Sequence, residues 1–269
     1  SPHIAAFAPV YESGKPQVVA TTLISDLETP VSAMTKLVGG EPMSFLLESV
    51  EGGKIRGRYS FLGMRPDLIW RCFGNRAEIN RDAHGDPKAF APCPVGEASG
   101  TLASFRAILA ESRIDMPDHL PPMAAGLVGY LGYDSVRLAE NIPDKNPDPI
   151  GAPDGQFIRP TIIAVFDTIE DEVTIVTPVW PRDGVSAEQA YEAALARLGK
   201  VLDDFDRAVP HRQLSTDLAD LPEPVSNMSA DEFETIVRRG KEYVLAGDVF
   251  QVVLSQRYSV PFELPALAL

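Results

Sequence analysis

The run YSFLGMRPDLIWRCFGNRAEIN, residues 59–80, alternates apolar and polar side chains in short stretches separated by turn residues. Proline presets φ in Arg65-Pro66-Asp67, and Gly74-Asn75 tolerates left-handed backbone, so both are turn signals. Three short strands are predicted, at 59–64, 68–73 and 76–80. Connections this tight join antiparallel neighbours, because a parallel pair needs a crossover of roughly a dozen residues.

Outward from this meander, the apolar and β-branched segment 17–24 predicts a strand, and Thr29-Pro30 opens a helix with proline where its missing N–H is harmless. Met34, Leu37 and Val38 give that helix an apolar face, Gly39-Gly40 ends it, and 43–49 returns as a strand. Residues 82–100 read as a Pro/Gly/Ala-rich loop, and Leu102, Phe105, Ile108 and Leu109 as the apolar face of a helix over 102–113. A strand at 124–130 precedes a short helix after Gly132, and 141–156 is a polar surface excursion. A hairpin of 161–167 and 173–179 turns at Glu170-Asp171.

Capping boxes at Ser186/Gln189 and Ser229/Glu232 start two long helices. The first is expected to bury Tyr191, Leu195, Leu198, Leu202 and Phe205. The second is expected to bury Phe233, Ile236, Val237 and Val244 before Gly247 closes it and a strand runs over 249–260. Helices inserted irregularly among hairpin-joined strands predict an α+β protein with antiparallel sheet, not a doubly wound one. Gly126, Gly129 and Gly132 lack the spacing of a dinucleotide loop and read as permissive backbone positions in or after a strand.

With 24 basic and 38 acidic residues, the formal charge of -14 disfavours nucleic acid and anionic membrane as partners. No stretch is long and apolar enough to cross a bilayer, and the start lacks a signal-peptide pattern. Two cysteines, Cys72 and Cys93, with no disulfide expected between them, fit a reducing cytoplasm. His3, His84, His119 and His211 have no metal-ligand spacing, and no serine carries an activating motif.

Leu46-Leu47-Glu48-Ser49 ends the strand at 43–49, where Leu47 and Ser49 share one face and Glu48 takes the other. A hydroxyl, a carboxylate and nearby backbone groups can hold the ammonium and carboxylate of a small amino acid. Equally, Leu46 and Leu47 can be core while Glu48 and Ser49 begin a solvated turn. Further on, Arg58, Ser60 and Leu62 face away from Tyr59 and Phe61, and Arg58 beside Ser60 can steady the loop between Gly52 and Gly57 or meet a carboxylate. Asp248, Gln251, Gln256 and Arg257 interrupt the apolar run GDVFQVVLSQRY (residues 247–258) and need partners if buried. An Arg137–Glu140 pair across one helical turn would carry no functional weight.

Leu46–Ser49 followed by RYSFLG (residues 58–63), with GDVFQVVLSQRY and Gly129-Tyr130-Leu131-Gly132-Tyr133-Asp134 further on, resembles component I of anthranilate synthase. That resemblance implies antiparallel sheets packed as a sandwich with helices outside. Residues 1–207 would form an N-terminal region with the feedback-inhibitor motif, 208–228 a linker, and 229–269 the start of a truncated chorismate-binding domain. It implies an enzyme that makes anthranilate and pyruvate from chorismate, with ammonia from a glutamine amidotransferase subunit (component II), Mg2+, and tryptophan as inhibitor. Carried over residue by residue, Ser49 is the foremost tryptophan contact, with Glu48 and Leu47 beside it and Tyr59 and Ser60 as further candidates. The family's catalytic and metal-binding residues have no counterpart in residues 1–269, and the helix begun at Leu264-Pro265-Ala266-Leu267-Ala268-Leu269 breaks off after one turn. The chain therefore reads as cut, and inactive by itself. Aminodeoxychorismate synthase component I and a stand-alone amino-acid-binding regulatory module are the alternatives.

Overall fold

The computed structural model describes residues 2–24, 28–49, 57–121, 123–209, 222–262 and 266–268. The chain divides into two compact units, Ser1–Pro210 and His211–Leu269.

The first unit is built on an eight-stranded antiparallel sheet with a central ladder of β3 (Tyr59–Phe73) and β7 (Gly155–Asp167). On one side β7 pairs with β8 (Glu172–Val179), and β8 with β1 (Gln17–Ile24). On the other side β3 pairs with β4 (Arg76–Asn80), which carries the two-residue β5 (Ala91–Pro92). Two short strands, β2 (Phe45–Leu47) and β6 (Val128–Leu131), lie against β3 and β7 respectively. Mixed helix and antiparallel sheet is thus the observed class.

Residues 59–73 form one strand, not the two predicted. The register changes from Pro66↔Pro160 to Leu68↔Arg159, so β3 carries one more residue than β7, and Arg65 takes a φ of 52° at the bulge. One extra residue reverses the alternation of side chains. Leu62 and Met64 therefore join one cluster, with Ile162 and Ala164, whereas Leu68, Trp70 and Cys72 join another, with Ile108 and Cys93. The turn chemistry of Arg65-Pro66-Asp67 bends the strand without ending it.

Three helices cover the first of these clusters. They are α1 (Ile4–Glu12), α2 (Pro30–Leu37, with a Thr29–Ser32 capping box) and α4 (Ala187–Phe205, capped by Ser186 and Gln189). On α4 the buried line is Ala187, Ala190, Ala194, Leu198, Val201 and Phe205, while Leu195 is 42% exposed. Of the expected stripe, Leu198 and Phe205 are buried and Tyr191 and Leu202 pack partly buried against the cluster, whereas Leu195 is turned out because the alanines bring their own side of the helix onto the sheet.

Helix α3 (Pro94–Glu111) starts eight residues earlier than the predicted 102, because Pro94 occupies a first-turn position. It is kinked at Gly100, whose φ is 83° and whose added Cβ would meet Asn75 Oδ1 at 2.6 Å. Only Ile108 of its four predicted apolar-face residues is buried; Phe105 is half-buried, and Leu102 and Leu109 are exposed. Gly129 sits where backbones nearly touch, since a Cβ there would lie 2.0 Å from the Gln156 carbonyl oxygen.

In the second unit, α5 (Ala230–Ala246) is capped by Ser229 and Glu232 and closed by left-handed Gly247. Its expected stripe is not buried: Phe233 and Ile236 are half-buried, Val237 and Val244 are exposed, and Gly240 is the buried residue. Residues 249–257 are not a strand; the ladder of this unit is β9 (Val225–Ser226) with β10 (Tyr258–Ser259). Val252 and Leu254 cross Gly240, where a Cβ would meet them at 3.2 and 3.4 Å. Most of the linker predicted at 208–228 lies outside the described residues. Among the described residues, no helix is long and apolar enough to cross a membrane.

Candidate functional site

The β2–β3 register, Leu47↔Phe61, continues so that Ser49 stands beside Tyr59. Ser49 Oγ donates to the Tyr59 carbonyl at 2.8 Å, and the Ser49 amide donates to Ser60 Oγ at 3.0 Å. Ser60 is 1% exposed, so its hydroxyl positions Ser49 from within. With its proton committed, Ser49 Oγ keeps lone pairs that suit an ammonium donor. Glu48 and Leu47 are exposed next to it. Ser49, Tyr59 and Ser60 are thus joined directly, with Leu47 on the same ladder and Glu48 open to solvent.

Tyr59 and Phe61 pack against a cluster that includes Val18, Ala20, Ile163 and Val165, their rings 6.2 Å apart. The Arg58 guanidinium lies 5.0 Å from the Tyr59 ring centre. It meets a carboxylate in a two-pronged bond, Nε to Asp167 Oδ1 at 2.8 Å and Nη2 to Oδ2 at 2.5 Å. Asp167 also accepts from the amides of Ile169 and Glu170. The Arg58 bond, followed by these amides, holds its carboxyl below the usual carboxylate range despite partial burial. Sequence reasoning missed Asp167. Nothing in the chain announces a pairing across 109 residues.

The other segments carry bonds of a structural kind. Gln256 Nε2 donates to Ser226 Oγ at 2.6 Å and the Arg257 amide to Asn227 Oδ1 at 2.8 Å; Asp248 and Gln251 are exposed. Arg137 pairs with Asp134 and Asp144, not with Glu140. These pairs line a cavity of about 630 Å3 that also includes Phe73, Asn75 and Asp154, and none of residues 47–49 or 58–60 reaches it. Cys72 and Cys93 are free and buried, and burial, reinforced by Asp154, pushes the Cys72 thiol up to about 11. Among the described residues no group of three or more His, Cys, Asp or Glu is placed to hold a metal ion.

A profile described as chorismate binding enzyme matches residues 58–269. Similar proteins named "Anthranilate synthase component 1" include one from Cereibacter sphaeroides, 48% identical over 96% of this chain and 51% of its own length. Others are from Pseudomonas putida (36% identical, 91% of this chain, 48% of its own) and Synechocystis sp. (33%, 98% and 53%). The chain spans about half the length of these curated relatives. In fold it resembles the crystal structure of anthranilate synthase component I from Streptococcus pneumoniae, at a TM-score of 0.57 and 23% identity over 90% of this chain and 49% of that one. The chain belongs to the chorismate binding enzyme family, and the relatives described above, which match along nearly its whole length, are named anthranilate synthase component 1.

Proposed function

We propose that this chain is the N-terminal part of an anthranilate synthase component I that forms anthranilate and pyruvate from chorismate. Ammonia would come from glutamine through a component II amidotransferase, in the cytoplasm. The observation that carries this reading is the 48% identity to the Cereibacter sphaeroides protein of that name, maintained over 259 residues.

Within the chain, Ser49 and its neighbours form one wall of a tryptophan feedback pocket. The free lone pairs of Ser49 Oγ and the Glu48 carboxylate accept the ammonium of the amino acid, and exposed Leu47 offers apolar surface beside them. Tyr59 and Ser60 support Ser49 through the bonds described above. The groups that act on chorismate, and the carboxylates that hold Mg2+, belong to the half of the relatives' length that this chain does not span. Residues 1–269 alone are then inactive.

The test supplies the full-length gene product and residues 1–269 with chorismate, ammonia and Mg2+. Anthranilate and pyruvate from the full-length protein, with no product from residues 1–269, are expected. Aminodeoxychorismate as the product would overturn the assignment, and anthranilate formed by residues 1–269 alone would overturn the division of labour.

A further inference from the structure

Tyr59 is held from both sides. On one, Ser49 Oγ donates to its carbonyl. On the other, Tyr59 is the cross-strand partner of Asp167 in the β3–β7 ladder. Asp167 lies at the end of β7, in the turn that leads to β8, and its side chain is 11% exposed. That carboxylate accepts from four donors: Arg58 Nε, Arg58 Nη2, and the amides of Ile169 and Glu170. The next residue reinforces the same place, since both the amide and Oγ1 of Thr168 donate to the Arg58 carbonyl, at 3.1 and 3.0 Å. Arg58, so fixed, lies over the Tyr59 ring.

We propose that Asp167 is a positioning residue for the tryptophan site: by clamping Arg58 it fixes Tyr59, and through Tyr59 it orients Ser49. The inference rests on the reading of Ser49 as an effector contact. An exposed ion pair would have little influence on its surroundings, because water screens it and long side chains lose entropy in forming it. This pair is different in kind. It is forked, planar and largely enclosed at the carboxylate, so it imposes direction as well as attraction. Asparagine at 167 keeps the shape but offers one uncharged acceptor oxygen where the carboxylate offers two, so the fork that holds the guanidinium over Tyr59 is lost. Glu170 is the natural control, since it also approaches Arg58 Nη2, at 3.5 Å, yet its side chain is 61% exposed.

The experiment uses the full-length gene product as wild type, Asp167→Asn and Glu170→Gln. Tryptophan affinity is measured by titration calorimetry, and hydrogen exchange at the Ser49 amide is measured without ligand. Losing a charge-assisted bond should weaken tryptophan binding about tenfold in Asp167→Asn. The same variant should exchange its Ser49 amide faster, while Glu170→Gln stays within about twofold of wild type on both readouts. A merely structural role would lower the melting temperature and leave native-state exchange at Ser49 unchanged. Arg58→Lys, which keeps the charge and loses the fork, should move both readouts in the same direction if Asp167→Asn is poorly soluble. Wild-type affinity in Asp167→Asn, or weakened binding with unaltered Ser49 exchange, overturns the proposal. Absence of tryptophan binding by wild type overturns the effector reading itself, and the ligand-free exchange data tell that failure apart from a failed clamp.

Discussion

Ser49 Oγ donates a 2.8 Å hydrogen bond to the main-chain carbonyl of Tyr59, ten residues further along the chain. The side chain at the strand end is therefore part of the sheet's own bonding, and its open lone pairs are aimed by the ladder. Replacing Ser49 by alanine removes this bond and leaves the partly buried Tyr59 carbonyl without that donor. A stability loss of about 0.5–1.5 kcal/mol is expected in urea unfolding. Tryptophan affinity should fall together with it, as read by calorimetry.

Asp67, the extra residue of the β3 bulge, grips Arg159 with both carboxylate oxygens, at 2.8 and 2.9 Å. Arg159 is 7% exposed and lies 4.2 Å from the centre of the Trp180 ring. Asp67→Ala leaves that guanidinium enclosed with only the long 3.4 Å contacts to Glu111 and Ser112. Removing one partner of a buried pair costs about 3–5 kcal/mol, so this variant should unfold at markedly lower urea concentration.

Gly129 is the position at which a single methyl group should matter. Its Cβ would stand 2.0 Å from the Gln156 carbonyl oxygen and 2.6 Å from the Phe157 Cα, both main-chain atoms that cannot rotate away. Gly129→Ala should separate β6 from β7 and lower stability by about 1–3 kcal/mol. The check is thermal unfolding beside Gly199→Ala, where no heavy atom lies within 4 Å.

Acid should destabilise the first unit through Asp167 and Glu111. Both carboxyls are held below their usual range, Asp167 chiefly by its bond from Arg58 and Glu111 chiefly by its bond from Arg81. A depressed folded-state value means that the unfolded chain binds more protons, so stability rises with pH through this window. The contribution is present above the unfolded carboxylate values of about 4 and is lost as pH falls through the lower folded values. The urea midpoint should drop between about pH 5 and pH 3, and less steeply in Asp167→Asn.

Much of the fold was legible where its signals are local. The capping boxes at Ser186/Gln189 and Ser229/Glu232, the proline after Thr29 and the hairpin about Glu170-Asp171 all appear as the residues imply. Where sequence reasoning failed, the deciding contact was distant. Arg65-Pro66-Asp67 has the composition of a turn, yet pairing with β7 on both sides of it keeps the strand whole. Leu195 has the spacing of a core residue, yet the small Ala190 and Ala194 bring their own side of α4 onto the sheet. Ser49, Tyr59 and Ser60 were named together only through the family resemblance, and it is the β2–β3 register that joins them, whereas Asp167 enters only through the fold of the central ladder.

A crystal structure of the full-length gene product with tryptophan bound tests the central claim most directly. The account predicts the tryptophan ammonium within hydrogen-bond distance of Ser49 Oγ, about 3 Å, with Leu47 and Glu48 beside it. Tryptophan bound elsewhere, with no contact to residues 47–49, would contradict it.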